Sequence, residues 1–322
     1  TWSRRMSLNA PNRSLTRQTQ GNPVALLGTV IWSTTAILIR YLTENYEIAP
    51  LTLAFWRDLM AFATLAAAWR VFRPEWLRVR RTDWVFMGIY GALMAVFNGL
   101  WTVSVALNGA AVATVLAYNS SAFTAFLGWR LFGEKLGPAK LLAVSLSLVG
   151  CILVAGAHDP AMWRGNALGV ICGLGAGLCF AGYSLMGREA ARRGIPSWTA
   201  LTYAFGGAAV VLLVGNVLLA QSPLQVGGTF FPAMDAAGWG ILFALAAGPT
   251  IGGYGFYTLS LAYLPASVAN LIATLEPSLT AVQAYAFLGE SFTLTQIAGS
   301  LMVIAGVVIL RISEAGKGNA GS

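Results

Sequence analysis

Three ionisable side chains lie deep inside long apolar stretches of this sequence. Arg57 and Asp58 stand in PLTLAFWRDLMA (50–61), and Glu276 stands just before Pro277 in the middle of a second apolar stretch. A charge at the centre of a bilayer is costly, so such groups are by default candidates for handling a charged ligand. Glu276 is predicted to bind a substrate ammonium group or a proton. The alternative is a packed carboxyl at a structural kink, because Pro277 frees a backbone carbonyl there.

Arg57 and Asp58 are sequence neighbours, and neighbours on a helix do not face one another. We therefore predict that they are not simple partners: one faces a cavity and the other pairs between helices. For Arg57, binding of a substrate carboxylate and an interhelical or snorkelling role both remain open.

A second group of candidates combines polar and aromatic residues. Asn98 and Trp101 match Tyr254 and Tyr257 at a constant offset of 156, and a spacing of three places each pair on one helix face. Such faces could line a cavity that holds an apolar side chain and binds backbone groups of an amino acid. The alternative is ordinary helix packing with the tyrosine hydroxyls bonded across helices. Three further polar candidates lie at similar depth: Tyr118, Asn119 and Ser120.

Proline and glycine cluster just before the two tyrosines. Gly248, Pro249, Gly252 and Gly253 fall in mid-span, and with Pro277 they are predicted hinges where helices bend or break. The one histidine, His158, lies in a turn beside Asp159, which is not a metal-site pattern. No metal site, cofactor or catalytic set is expected, and the prediction is therefore a non-enzyme.

The elements that position these residues are long apolar helices. Of the 322 residues, 57% are hydrophobic and 10% are charged, whereas soluble domains carry about 25% charged residues. A span needs about 20 apolar residues. An all-α membrane protein with ten transmembrane helices is predicted, at 23–42, 50–72, 84–106, 109–131, 138–156, 166–187, 197–219, 238–260, 265–288 and 294–312.

Basic residues predict the orientation. Seventeen of the 20 Lys and Arg fall in the terminal segments and in loops on one side, which makes that side and both termini cytoplasmic. The net charge of +8 is therefore explained by the orientation of the chain in the membrane and does not indicate a nucleic-acid partner. Residues 1–22 are predicted as a basic cytoplasmic arm, with 1–5 read as an expression remnant, and 313–322 as a cytoplasmic tail.

The two halves of the sequence resemble each other. Residues 102–154 align with 258–310 without a gap, including Gly133-Glu134 with Gly289-Glu290, and Trp32 aligns with Phe180 at an offset of 148. Five helices is an odd number, so the second half must enter the membrane from the opposite side. The predicted domains are 23–156 and 166–312, two inverted repeats around a central cavity. That architecture is typical of secondary transporters.

Several strings resemble the drug/metabolite transporter superfamily: WSTTAILIR (32–40), PLTLAFWRDLMA (50–61), FAGYSLMGR (180–188) and ANLIATLEPSLTAVQAYAFLGE (269–290). Ten-helix exporters with paired EamA-like repeats are the most similar group, and the WST…IR opening resembles its YddG-type aromatic amino acid exporters. One departure is Ser120-Ser121 in the first half where the second has Glu276-Pro277, so a site cannot be copied between halves.

The resemblance implies export of aromatic or large apolar amino acids and related metabolites across a bacterial inner membrane by alternating access. Efflux of drugs or other cationic compounds is the alternative, with an aromatic cage and an acidic residue such as Glu276. The expected partners are a small-molecule substrate and the lipid bilayer, without nucleic acid. A monomer is expected, since ten helices with an internal two-fold can enclose a cavity.

Overall fold

The computed structural model describes residues 10–134, 136–154, 156, 159–160, 167–219, 227–279, 282–283 and 293–319, and within these ranges the chain is helical without strands. One segment, Ala246–Thr250, is π-helical. The α-helices are α1 (Ala10–Trp32), α2 (Thr35–Tyr46), α3 (Pro50–Phe72), α4 (Trp84–Tyr118), α5 (Ser120–Phe132), α6 (Pro138–Val154), α7 (Ala167–Arg192), α8 (Ser197–Leu219), α9 (Ala236–Leu245), α10 (Ile251–Ser260), α11 (Ala266–Ala273) and α12 (Leu294–Asn319).

Several helices are suited to a bilayer, which confirms the all-α membrane class. Among the described residues, five helical stretches are long and apolar enough to cross a membrane: Pro50–Phe72, Arg81–Ser104, Ala167–Arg192, Ser197–Leu219 and Ala236–Ser260. Pro138–Val154 and Leu294–Leu310 are shorter apolar helices. The number ten and the inverted arrangement stay predictions.

The first predicted span is wrong as a single helix. The structure starts α1 at Ala10, ends it at Trp32, and begins α2 only at Thr35. The Ser33 hydroxyl donates to the Val30 carbonyl at 2.7 Å and the Thr34 hydroxyl to the Ile31 carbonyl at 2.7 Å. Hydroxyls that bond nearby carbonyls compete with the helical ladder, so this Ser-Thr pair accounts for the break.

The predicted helix end near residue 106 is also wrong. Helix α4 continues through Gly109 to Tyr118, a length of 35 residues. Glycine inside a helix costs only about 1 kcal/mol relative to alanine and keeps its N–H, so it does not force an end as proline does. At the matching place in the second half, Pro265 separates α10 from α11.

Small residues allow the helices of the core to approach closely. A Cβ added to Gly91 of α4 would lie 2.8 Å from the Cα of Gly207 of α8. A Cβ added to Gly150 of α6 would lie 2.6 Å from the carbonyl oxygen of Gly299 of α12. Such contacts are how membrane helices gain packing without a hydrophobic driving force between them. The core formed by α3, α4, α7, α8 and α10 surrounds the candidate residues.

Candidate functional site

Arg57 and Asp58 form a buried ion pair at the centre of α3. The Arg57 Nε lies 3.3 Å from an Asp58 carboxylate oxygen, and the two residues are 4% and 0% exposed. The prediction that they are not partners is therefore wrong. The reason is the length of the arginine side chain. It bends round to the carboxylate of Asp58 even though the two Cβ atoms point apart.

Asn98 connects this pair to the second half of the chain. Its Nδ2 donates to the other Asp58 oxygen at 2.7 Å, and the Tyr254 hydroxyl donates to its Oδ1 at 3.4 Å. The sequence placed Asn98 and Tyr254 at equivalent positions of the two halves, and the fold brings them into contact. Three helices, α3, α4 and α10, thus meet at one buried polar group.

One nitrogen of this cluster has no partner among the described residues. The Arg57 Nη2 is buried and makes no hydrogen bond to the part of the chain that the structure describes. A buried unpaired donor on a charged group carries its full desolvation cost, which would be relieved by an incoming acceptor. A carboxylate is the acceptor whose geometry and charge suit a guanidinium.

Glu276 follows a break in the backbone. Helix α11 ends at Ala273, residues 274–275 form a turn, and a helical turn resumes at 276–279. The half-buried carboxylate accepts a hydrogen bond from the Tyr118 hydroxyl of α4. Within the described ranges, no Lys or Arg lies within ion-pair distance of it. The Tyr254 hydroxyl, which bonds Asn98 beside Asp58, lies within electrostatic range of Arg57, Asp58 and Glu276 alike.

Tyr257 belongs to a second polar network. Its hydroxyl lies 2.5 Å from the Ser184 Oγ of α7, and Asn270 of α11 donates to the same Ser184 oxygen at 3.4 Å. Ser120 of α5 donates to the Asn270 Oδ1 at 3.0 Å. Ser120 and Tyr257 are thus joined through two residues that the sequence analysis missed. Asn270 and Ser184 are single polar residues in apolar surroundings. Without the fold, such residues are only a weak indication of a site.

Aromatic rings cover this centre on one side. Trp32, at the end of α1, has its ring centroid 4.4 Å from Tyr254, 5.5 Å from Tyr257 and 5.7 Å from Phe180. Trp32 and Phe180 were not named as site residues. Their match in the repeat was the available signal, and the two rings lie in contact in the structure.

The remaining candidates lie nearby with weaker polar contacts. Trp101 is half-buried and packs against an apolar cluster that includes Ile39 and Leu42. Asn119 lies between α4 and α5: its Nδ2 is 3.4 Å from the Leu116 carbonyl of α4, and its backbone carbonyl accepts from the N–H groups of Ala122 and Phe123 in α5. His158 and the Gly289-Glu290 pair lie outside the described residues.

The predicted hinge residues surround the π-helical segment. Gly248 and Pro249 lie inside Ala246–Thr250, and Gly252 and Gly253 open α10 directly after it. A Cβ on Gly253 would lie 2.9 Å from the Trp32 ring, so glycine there lets the ring approach the backbone. π-Helical turns inside α-helices are frequent at functional sites. Pro277 is buried in the helical turn that carries Glu276.

A separate group of contacts joins the two halves at the predicted cytoplasmic side. The Glu134 carboxylate lies 2.9 Å from the Lys140 ammonium group and accepts a hydrogen bond from Ser267 at the start of α11. The Arg188 Nη1 donates to the Leu261 carbonyl at 2.9 Å, which ties α7 to the turn after α10. These contacts close that side of the molecule over Tyr257 and Asn270.

Comparison with known proteins gives a consistent result. The model of the EamA-like transporter family matches twice, over residues 19–156 and 167–312. The chain is 25% identical to the uncharacterized transporter YwfM of Bacillus subtilis over 88% of this chain and 91% of that protein. It is 27% identical to the threonine/homoserine exporter RhtA of Salmonella typhimurium over 73% of each chain. These named relatives are transporters rather than enzymes.

A solved structure has the same fold. It superposes with a TM-score of 0.72 at 17% sequence identity, and the match covers 91% of this chain and 97% of that one. With two matches of one family model across most of its length, this chain belongs to the EamA-like transporter family, within the drug/metabolite transporter superfamily.

Proposed function

We propose that this protein exports amino acids, with aromatic or large apolar ones preferred, and related small metabolites by alternating access. In this proposal ten helices form two inverted repeats in a bacterial inner membrane, with both termini cytoplasmic, and the monomer is the transporting unit. The double match of the family model and the similarity to RhtA, a threonine/homoserine exporter, support amino acid transport.

The observation that carries the proposal is a pair of ionisable groups whose hydrogen-bonding capacity is only partly used within the described residues. Arg57 offers a buried unbonded nitrogen, and Glu276 a carboxylate whose described partner is one hydroxyl. An amino acid at neutral pH carries a carboxylate and an ammonium group. We assign the substrate carboxylate to Arg57, positioned by Asp58 and Asn98, and the ammonium group to Glu276, positioned by Tyr118.

The aromatic rings account for the side-chain preference. Trp32, Tyr254 and Tyr257 lie together beside the charged groups, and Trp101 lies half-buried on the same helix as Asn98. Rings of this kind supply apolar contact area with few rotatable bonds. In the proposed binding state the network that joins Tyr257 to Ser120 borders the substrate, with Asn119 directly before Ser120.

Alternating access requires the closed side to open. In this conformation Asn98, Tyr254 and Tyr257 are nearly fully buried, so the site is occluded. We infer that opening separates Glu134 from Ser267 and Arg188 from Leu261, while the π-helical segment with Gly248, Pro249, Gly252 and Gly253 absorbs the bend. The turn before Pro277 does the same for the helix that carries Glu276.

The testing experiment is uptake into liposomes that hold the purified protein, with ligand sets that separate the two charges. Each set contains an aromatic amino acid, the amine without its carboxylate and the acid without its amino group. We expect saturable uptake of the amino acid, reduced at least tenfold in Glu276→Gln and in Trp101→Ala. Glu75→Gln, an exposed carboxylate remote from the site, is the matched control and should transport normally.

The pattern of competition decides the assignment of the charges. In Glu276→Gln the free acid should compete as well as in the unmodified protein, while the amine should lose its inhibition. An equal loss of inhibition by the acid and by the amine would contradict the assignment of the ammonium group to Glu276. Absence of uptake for every amino acid would overturn the amino acid proposal itself.

Efflux of cationic drugs is the second candidate function. The observation that favours it is the position of Glu276. This carboxyl group has no basic partner in the described residues and lies close to an aromatic cluster. A cationic dye that is transported while no amino acid competes would establish this alternative. Loss of dye transport in Glu276→Gln but not in Arg57→Lys would then identify the cation site.

A further inference from the structure

The last turn of α3 and the loop that joins α3 to α4 carry a dense group of arginines. Five lie within 12 residues, and each is exposed: Arg70, Arg73, Arg78, Arg80 and Arg81. Arg73 pairs with Glu75 at 3.5 Å, and the nearby Asp83 faces Arg193 at 3.8 Å. The other four have no ion pair with any residue in the described ranges. A surplus of positive charge therefore remains at this loop.

The loop is held in a fixed shape by α8. The Trp76 carbonyl accepts a hydrogen bond from the Thr199 hydroxyl at 2.7 Å, and the Leu77 carbonyl accepts one from the Tyr203 hydroxyl at 2.8 Å. Trp69 packs on Trp76 with ring centroids 4.6 Å apart. Two short 3-10 turns, Pro74–Leu77 and Arg81–Asp83, complete it. Its arginines are thus presented by an ordered backbone.

Exposed apolar side chains flank the arginines at both ends. Val71 and Phe72, which end α3, are 73% and 75% exposed, and Trp84 and Val85, which begin α4, are 52% and 75% exposed. In a membrane protein such residues at helix ends contact lipid, and tryptophan marks the interface. Arg73, Arg78, Arg80 and Arg81 lie between these apolar residues, and Arg70 directly precedes Val71, so the arginines lie at the depth of the phospholipid headgroups.

We propose that this arginine loop, residues 70–81, binds anionic phospholipid headgroups of the adjoining leaflet. Guanidinium groups match phosphate oxygens in charge and in their paired geometry. Basic clusters directly beside a membrane span attract anionic lipids, and each Lys or Arg near the surface adds to the binding free energy. The inference depends on the membrane location of the protein and not on what it transports.

The test is binding of fluorescent phosphatidylglycerol to the purified full-length protein in neutral detergent at low salt. The variant Arg78→Gln/Arg80→Gln/Arg81→Gln should bind about tenfold to 100-fold more weakly. The matched control removes the same number of charges elsewhere, as Arg13→Gln/Arg17→Gln/Arg130→Gln, and should stay within about threefold of the unmodified protein. Replacement of Arg78, Arg80 and Arg81 by lysine should retain most of the affinity, because the charge is kept.

Other outcomes would overturn the proposal. Equal binding of phosphatidylcholine would show that charge does not select the lipid, and full competition by millimolar glycerol phosphate would make the ligand a free phosphate. Equal weakening in the glutamine variant and the control would show an effect of net charge alone. Elution volume and melting temperature, which these exposed substitutions should leave unchanged, verify that each variant is folded.

Discussion

The stretch from α4 to α5 and the stretch from α9 to α11 occupy matching places in the two halves of the sequence, yet they differ in continuity. Helix α4 runs unbroken for 35 residues. In the second half a π-helical segment interrupts the helix at Ala246–Thr250, and a turn separates α10 from α11. Helix α4 therefore forms a stiff support, and the stretch from α9 to α11 contains more places that can bend.

Proline explains the difference. Pro249 and Pro265 align, at the offset of 156, with Leu93 and Gly109 of α4. Proline lacks the N–H of the helical ladder and clashes with the preceding turn, whereas leucine and glycine continue it. Similarly apolar stretches thus give a continuous helix in one half and a segmented one in the other.

One interruption is shared. The chain leaves the helix at Asn119 in the first half and at residues 274–275 in the second, and Asn119 aligns with Leu275. The residues that follow these breaks are Ser120 and Glu276. Both halves therefore place a polar side chain directly after a break, but only the second places a charge there. The comparison indicates that the second half contributes Glu276 to the candidate site and that the first half contributes the Arg57–Asp58 pair.

The largest effect is expected from the charged pair of α3, the second predicted span of the first half. Helix α8, the second predicted span of the second half, carries no Asp, Glu, Lys or Arg. Arg57→Leu leaves Asp58 buried without its cation, which should cost about 3–5 kcal/mol of stability. The measurement is thermal unfolding in detergent. The double variant Arg57→Leu/Asp58→Leu should recover much of this loss, and an equally unstable double variant would show that the pair is not the cause.

Exchange of the aligned prolines should come next. Leu93→Pro introduces a proline into the continuous α4 and should cost about 3 kcal/mol or more. Pro249→Leu should be tolerated in the fold, since the position then gains an N–H, but should slow transport if the bend is used. Thermal unfolding and initial uptake rates report the two effects separately. Equal destabilisation by both changes would contradict the difference between the halves.

Loss of the polar contacts beside the shared break should lower stability by a smaller amount, which should differ between the two halves. Tyr118→Phe removes a hydrogen bond to a carboxylate and should cost about 2 kcal/mol, whereas Ser120→Ala removes a neutral bond to Asn270 and should cost about 1 kcal/mol. Both changes delete one hydroxyl oxygen, which makes them matched controls. Thermal unfolding of the two variants is the measurement, and the reverse order would argue that Glu276 is not charged in this state.

The smallest effect is expected outside the membrane, where Asp235 caps α9. Its carboxylate accepts bonds from the Gly238 N–H and from the Tyr46 hydroxyl, and these hold its pKa below the ordinary value. Because the folded pKa is depressed, the stabilisation is fully present above the unfolded pKa and is lost as the pH falls through the folded one. Melting temperatures between pH 6 and pH 3 should fall slightly less in Asp235→Ala than in the unmodified protein. An identical pH dependence would contradict this.

Much of the fold could be predicted from apolar length alone. The bounds 50–72 and 197–219 agree with α3 and α8, because a proline marks the start of each mainly apolar run and polar residues follow its end. The break at Ser33 and Thr34 and the continuity through Gly109 were not predictable in the same way. Both depend on small backbone preferences, which neighbouring helices can override.

The candidate site was predictable in part for a similar reason. Arg57, Asp58 and Glu276 stand out because a charge in an apolar span is rare, and Asn98 and Tyr254 because they match across the repeat. Asn270, Ser184 and Trp32 are ordinary residues in isolation. They became part of the site only when helices distant in the sequence placed them against Ser120, Tyr257 and Phe180.

The sequence by itself determined the membrane class, the helix-forming segments, the repeat and the family, since these follow from composition, period and motif. The tertiary structure alone decided which polar groups meet: Arg57 with Asp58, Asp58 with Asn98, and Glu276 with Tyr118. The physical reason is that a buried polar group must find a partner in a low-dielectric interior. Which partner it finds depends on the packing of helices that the chain order does not specify.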